Sequence, residues 1–140
     1  MGVFDSLRIS ASGLRAGRTR MDVIAQNIAN VETTRSPGGG PYRRRTVVLA
    51  TQQPGGSTFA GAAACAGVRV AAVADDNSPL VRVHNPGHPD ADVDGYVLMP
   101  NVDLPTEMAD MILAARAYEA NAAALRAGRE IIRHALSILA

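Results

Sequence analysis

Asp90, Asp92 and Asp94 stand at alternate positions ahead of Gly95, with His84 and His88 just upstream. Alternating carboxylates and a turn glycine open an EF-hand calcium loop, and Val97 supplies the apolar position that such a loop requires. The match stops there. Asn101 occupies the twelfth position, where a bidentate glutamate is needed, and Asn85-Pro86-Gly87-His88-Pro89 cannot form the entering helix. The segment reads as a solvated acidic turn. His84 and His88 beside these aspartates raise zinc chemistry, but prolines flank His88 and no further His or Cys lies nearby, so structural or interface histidines fit better. No metal, cofactor or small-molecule substrate is expected.

Other reactive side chains point the same way. Cys65 is the single cysteine and lies in an Ala/Gly-rich stretch without a neighbouring base, which suits neither a disulfide framework nor nucleophilic catalysis. Arg43-Arg44-Arg45 is the one basic run, but the aromatic platforms and broad basic surface of a nucleic-acid binder are missing. It reads as a solvated or interfacial strand. Glu107 and Glu119 sit on a predicted helix, and Arg116 lies three residues before Glu119, so a surface ion pair accounts for them. No phosphate loop, nucleophile elbow or pair of catalytic carboxylates is present, and the chain reads as a non-enzyme.

The elements around these residues ask for partners rather than substrates. Near one end Leu7, Leu14, Met21 and Ile28 recur every seventh residue, with Phe4, Ala11, Arg18 and Ala25 in the other seam position. Near the other end Met111, Tyr118, Leu125, Ile132 and Leu139 recur likewise, with Met108, Ala115, Ala122, Arg129 and Leu136 between them. A heptad stripe needs a second helix to bury it. Arg18 and Arg129 interrupt the seams and must face an edge, a carboxylate or another subunit. Gly13 and Gly17 each cost a helix about 1 kcal/mol relative to alanine, which points to a close approach by another backbone. Whether the stripes pair with each other or with helices of other subunits stays open at this level.

The fold class predicted is α+β. Long N- and C-terminal helices pack as an antiparallel coiled-coil-like pair around a small β-rich middle insert. The divisions are 1–34 for the first helix, 35–102 for the insert and 103–140 for the second helix. The first helix spans about Phe4–Asn30. Thr33, Thr34, Ser36, Pro37 and Gly38-Gly39-Gly40 form a flexible connection. Strands are expected at Tyr42–Leu49, Val68–Ala74, Leu80–Val83 and Gly95–Met99, with a mobile loop over Gln52–Gly67. Asp103 caps the second helix, and Pro105 sits in its first turn, where its missing N–H costs nothing.

Hydrophobic residues make up 47% of the 140, but aromatics are only 4% and tryptophan is absent, so the core must be thin. The formal net charge is +1, which gives no strong pull toward nucleic acid or a membrane surface. Through Thr46 there are eight arginines against three acids; beyond it, six arginines against ten acids, and no lysine anywhere. A basic front and an acidic back can attract each other within or between subunits. No run approaches the ~18 apolar residues of a membrane span, and no secretory signal is expected, because Asp5, Arg8, Arg15 and Arg18 interrupt the N-terminal segment.

Ser12-Gly13-Leu14, Ala25-Gln26-Asn27-Ile28-Ala29-Asn30-Val31 and Thr33-Thr34 resemble the N-terminal signature of bacterial flagellar rod and hook proteins. His84-Asn85-Pro86-Gly87-His88-Pro89-Asp90-Ala91, Gly95-Tyr96-Val97-Leu98-Met99-Pro100-Asn101-Val102, Glu107-Met108, Met111 and Arg116-Ala117-Tyr118-Glu119-Ala120-Asn121 narrow the likeness to the proximal rod. The resemblance covers both helices and is weak over 52–67. It implies a structural, torque-bearing subunit of the basal body rod, exported without signal cleavage by the flagellar type III apparatus. Its partners would be other rod subunits and copies of itself. Assembly contacts are expected at Leu7, Leu14, Met21, Asn27, Ile28, Asn30, Met111, Tyr118, Asn121, Leu125 and Ile132, with Asn27, Asn30 and Asn121 fixing register. The terminal helices of the free subunit are expected to order on assembly. A cytoplasmic coiled-coil adaptor and a calcium-binding interaction module are the competing readings.

Overall fold

A computed structural model of the chain describes residues 3–52 and 67–139. Its elements in chain order are α1 (Val3–Ala29), β1 (Arg45–Gln52), β2 (Gly67–Asp75), β3 (Val81–His84), β4 (Tyr96–Met99) and α2 (Leu104–Leu139). The fold is α+β, as the periodicities predicted. Cys65 and the expected loop between the first two strands lie outside the described residues.

The α2 start follows from its sequence. The Asp103 carboxylate accepts from the Thr106 amide at 3.1 Å and from the Thr106 hydroxyl, and the Glu107 amide donates to the Asp103 carbonyl at 3.0 Å. These contacts satisfy amides that open a helix without a partner. At 27 and 36 residues the helices reach about 40 and 54 Å. The side chain of Leu7 lies over Gly128, Asn121 over Gly13 and Tyr118 over Gly17. Nearer the other end Asn27 bonds Glu107. One index rises as the other falls, so the two helices are antiparallel.

β1 and β2 form an antiparallel hairpin running from Arg45↔Asp75 to Gln52↔Gly67, with a register shift at Val48/Leu49 that leaves Ala71 unpaired as a bulge. β3 and β4 form a second antiparallel pair, Val81↔Met99 to His84↔Tyr96. The hairpin packs on α1, and α1 packs on α2; the hairpin and α2 do not pack on each other. Ser12 fastens the first joint. Its hydroxyl accepts from the Val68 amide at 3.0 Å and donates to the Ile9 carbonyl at 2.7 Å.

Two expectations change here. The first strand begins at Arg45 rather than Tyr42, because Tyr42 and Arg44 are engaged elsewhere. The 31–41 connection, expected as flexible, is closed by hydrogen bonds: the Tyr42 amide donates to the Thr33 carbonyl at 3.0 Å and the Ser36 amide to the Gly40 carbonyl at 2.8 Å. Gly39 and Gly40 supply φ of 83° and 76°, values that a side chain would resist.

Candidate assembly interface

Asn27 is 1% exposed and Glu107 is 0% exposed, deeper than any leucine in the described chain. The Asn27 amide brackets the Arg45 peptide as a neighbouring strand would. Its Oδ1 accepts from the Arg45 amide at 2.9 Å, and its Nδ2 donates to the Arg45 carbonyl at 2.9 Å. The same Oδ1 accepts from the Tyr42 hydroxyl at 3.0 Å, and Nδ2 also donates to Glu107 Oε2 at 3.0 Å. Arg44 Nε donates to Glu107 Oε1 at 2.6 Å, while its other nitrogens lie 3.7 Å from Asp76 and 3.5 Å from Asp110. Arg20 reaches Asp110 at 3.4 Å. A buried carboxylate is tolerable only when paired and fully hydrogen-bonded, and Glu107 is both.

This cluster joins α1, the approach to β1, and α2 at one end of the helix pair. Asn101 extends it: its Oδ1 accepts from the Arg44 amide at 2.8 Å, and its Nδ2 donates to the Asp76 carbonyl at 3.1 Å and the Ser78 hydroxyl at 2.7 Å. The hydrogen bond to Glu107 raises the Arg44 pKa, burial raises that of Tyr42, and the Ser78 amide lowers that of Asp76. The basic front and acidic back predicted from sequence therefore meet inside one chain. Glu107 is corrected from a surface residue to the centre of this network; the surface pair holds only for Arg116 and Glu119, 3.7 Å apart and both exposed. Arg44 is likewise no solvated strand residue.

The helix seam runs partly where the heptads placed it. Leu7, Leu14, Met21 and Ile28 are half-buried, as are Met111, Tyr118, Leu125 and Ile132. The second series is corrected in part. Ala11, Ala115 and Ala122 are half-buried, but Phe4, Arg18, Ala25, Met108, Arg129 and Leu136 are exposed, and the positions that close the α2 seam are Glu107, Ala114, Asn121 and Gly128. On α1 the buried stripe is Ser12, Ala16, Val23, Ile24 and Asn27. Small and polar residues hold the closest contacts, so a search for large apolar side chains passes over them. The glycines do mark close approach, though by side chains of α2 rather than its backbone. A Cβ on Gly13 would lie 2.9 Å from three atoms of Asn121, whose Nδ2 donates to the Ala117 carbonyl at 2.9 Å.

The expected assembly residues thus divide. Asn27 spends its whole amide inside the subunit. Asn30 closes the end of α1, donating to the Gln26 carbonyl at 2.8 Å and accepting from the Thr33 hydroxyl at 3.1 Å. Asn121 sits in the intramolecular seam. What remains open is α2, which among the described helices and strands packs on α1 alone, with Arg44 joining at its start. Leu104, Met108 and Ile112, spaced by four, form an exposed apolar stripe, and Leu113, Ile131, Leu136 and Ile138 are exposed too.

The acidic turn is built differently from a cation loop. Asp92 Oδ1 accepts from the Asp94 and Tyr96 amides at 3.0 and 2.9 Å, and Arg82 lies 3.1 Å from Asp92 and 4.2 Å over the Tyr96 ring. His84 packs edge-on against that ring at 5.0 Å, and His88 Nδ1 accepts from the Asp90 amide at 3.1 Å. Asp90 turns away to the Thr34 hydroxyl at 2.8 Å and to Arg35. The Thr34 hydroxyl lowers the Asp90 pKa, and the Tyr96 amide lowers that of Asp92. Among the described residues no three His, Cys, Asp or Glu side chains converge on one point.

Known proteins match this sequence along nearly its whole length. The family description "Flagella basal body rod protein" fits residues 7–35, and "Flagellar basal body rod FlgEFG protein C-terminal" fits residues 93–138. These two stretches carry Asn27 and Glu107, the two halves of the buried network. The flagellar basal-body rod protein FlgC of Borreliella burgdorferi is 44% identical across 99% of both chains. FlgC of Bacillus subtilis is 40% identical across 99% of both, and FlgC of Salmonella typhimurium is 36% identical over 99% of this chain and 96% of its own.

Proposed function

The chain belongs to the FlgC family of flagellar basal-body rod proteins, and we propose that it is a structural subunit of the proximal rod that transmits torque through contacts of its terminal helices with neighbouring subunits. The observation that carries this reading is the one-sided packing of α2. A 36-residue helix that touches a single neighbouring element leaves most of its circumference to others. Among the described residues the buried apolar side chains are Ala16, Val23, Ile24, Val97 and Ala114, too few to serve as the whole core of helices this long.

In this reading the two helices form the inner layer of the rod and the 35–102 insert faces outward. Other rod subunits and further copies cover Leu104, Met108 and Ile112. The chain leaves the cell uncleaved through the flagellar type III export apparatus. No helix of the described residues is long and apolar enough to cross a membrane. The test is complementation of a strain lacking the chain with Met108→Glu/Ile112→Glu. These side chains are exposed in the subunit, so the variant should fold and be exported, yet rods should fail to assemble and cells should not swim. Normal swimming and normal basal bodies from this variant would sink the proposal.

A further inference from the structure

Between α1 and β2 lies a cavity of about 280 Å³, floored by Ala16, Val68 and Val70 and edged by Arg15, Thr19 and Arg69. Its charge is unbalanced. Among the described residues no ion pair forms to Arg15 or Arg69, and residues 53–66, which follow β1 in the chain, contain no Asp or Glu. Two free guanidinium groups over an apolar floor call for an apolar group flanked by carboxylates. The chain carries such a group. Val93 is fully exposed between Asp92 and Asp94. The Asp92 bonds to the Asp94 and Tyr96 amides, with Gly95 at φ 77°, hold the valine at the tip of a fixed turn. Arg82 sits closer to Asp92, at 3.1 Å, than to Asp94, at 4.0 Å, and Asp94 is 76% exposed, so Asp94 is the tip carboxylate that faces outward.

Tip and cavity of one chain cannot meet. The turn is tied through Asp90 to Thr34 and Arg35, beyond the C-terminal end of α1. Arg15 is mid-helix, about 21 Å back along the axis from Ala29. We infer that the Asp92-Val93-Asp94 tip of one copy docks in the Arg15/Arg69 cavity of a second copy. This rests on the reading of the chain as an assembling rod subunit and names one of its contacts. The contact joins different surfaces on the two partners, so each copy keeps a tip or a cavity to offer to a further copy unless a two-fold axis pairs them reciprocally.

The test uses the full chain carrying Cys65→Ser, with Val93→Cys in one preparation and Thr19→Cys in another, mixed under mild oxidation. The contact predicts disulfide-linked Val93→Cys/Thr19→Cys heterodimers at least about tenfold above either homodimer, falling as salt screens the charges. Adding Arg69→Glu to the cavity partner should remove the cross-link, and adding Asp94→Arg to the tip partner should then restore it. This rescue separates a lost contact from a misfolded variant. Heterodimers no more abundant than homodimers, or a yield indifferent to both charge reversals, overturn the proposal. Recovery of the untagged chain in purified basal bodies is scored separately, so the docking contact can fail while the rod assignment stands.

Discussion

Replacing Gly13 by alanine should change sign with the residue at position 121. On an open helix face the substitution stabilises by about 1 kcal/mol through helix propensity. Here the new Cβ meets Cγ, Nδ2 and Oδ1 of Asn121 together at 2.9 Å. Asn121 cannot yield freely, because its Nδ2 donates to the Ala117 carbonyl. Forcing an extra methyl into a packed contact costs about 1–3 kcal/mol, and a displaced hydrogen bond adds roughly 1 kcal/mol. The net effect expected is destabilisation by about 1–3 kcal/mol, or roughly 3–10 °C in Tm for a chain of this length. In an Asn121→Ala background the obstruction is gone and Gly13→Ala should stabilise by about 1 kcal/mol, giving a coupling of about 2–4 kcal/mol. Thermal and urea unfolding followed by circular dichroism at 222 nm measures all four corners of the cycle. Gly17→Ala is the internal control: its Cβ would lie 3.6 Å from Tyr118, an ordinary contact, so it should stabilise in both backgrounds. If Gly13→Ala has the same sign with and without Asn121, the antiparallel register drawn from these contacts is wrong.

Two further outcomes follow from the ionic contacts. Arg44→Ala leaves Glu107 buried without its cation and should cost about 3–5 kcal/mol; adding Glu107→Gln should recover much of it, since a neutral amide needs no counter-charge, and urea midpoints decide. Asp90 has a folded pKa below the ordinary aspartate value because it accepts from Thr34. Its contribution is therefore present above about pH 4 and is lost as pH falls through the lower folded value. Thr34→Val should flatten that acid limb of the stability profile; an unchanged limb would remove the clasp from the account.

Both helices, the caps and all four strands were legible because each rests on local pattern. Asp103 and Pro105 mark a helix start wherever they stand, and alternating valines mark strands. The buried network was not legible, because its members lie far apart in the chain and each has an unremarkable local reading. Glu107 looks like any helix-surface glutamate until Arg44, 63 residues earlier, arrives beside it. A signal did exist. Glu107, Ala114, Asn121 and Gly128 share a seven-residue spacing and fall four residues before Met111, Tyr118, Leu125 and Ile132 of the companion series, but none is a large apolar residue of the kind that marks a seam. Asn27 stands out as an amide able to fix register between subunits, but in the structure it is fully engaged within the chain. Its partner is the Arg45 peptide of the same chain.

The division of labour between the helices explains why the seam is made of small residues. α1 is engaged on two sides, by the hairpin through Ser12 and by α2 through Gly13 and Gly17. Large side chains at those glycines would push α2 outward and open the joint at the far end, where Glu107 must stay dry. Keeping the helices close lets Asn27 span the gap with one amide and shield a carboxylate from water. The same thin seam leaves α2 with little of its surface consumed. The apolar stripe of Leu104, Met108 and Ile112 begins one residue past the Asp103 cap and flanks Glu107 itself, so the part of α2 offered outward is the part held most firmly inward. The buried Asn27–Glu107–Arg44 network fastens α2 to α1 at the same end of the helix that carries this stripe.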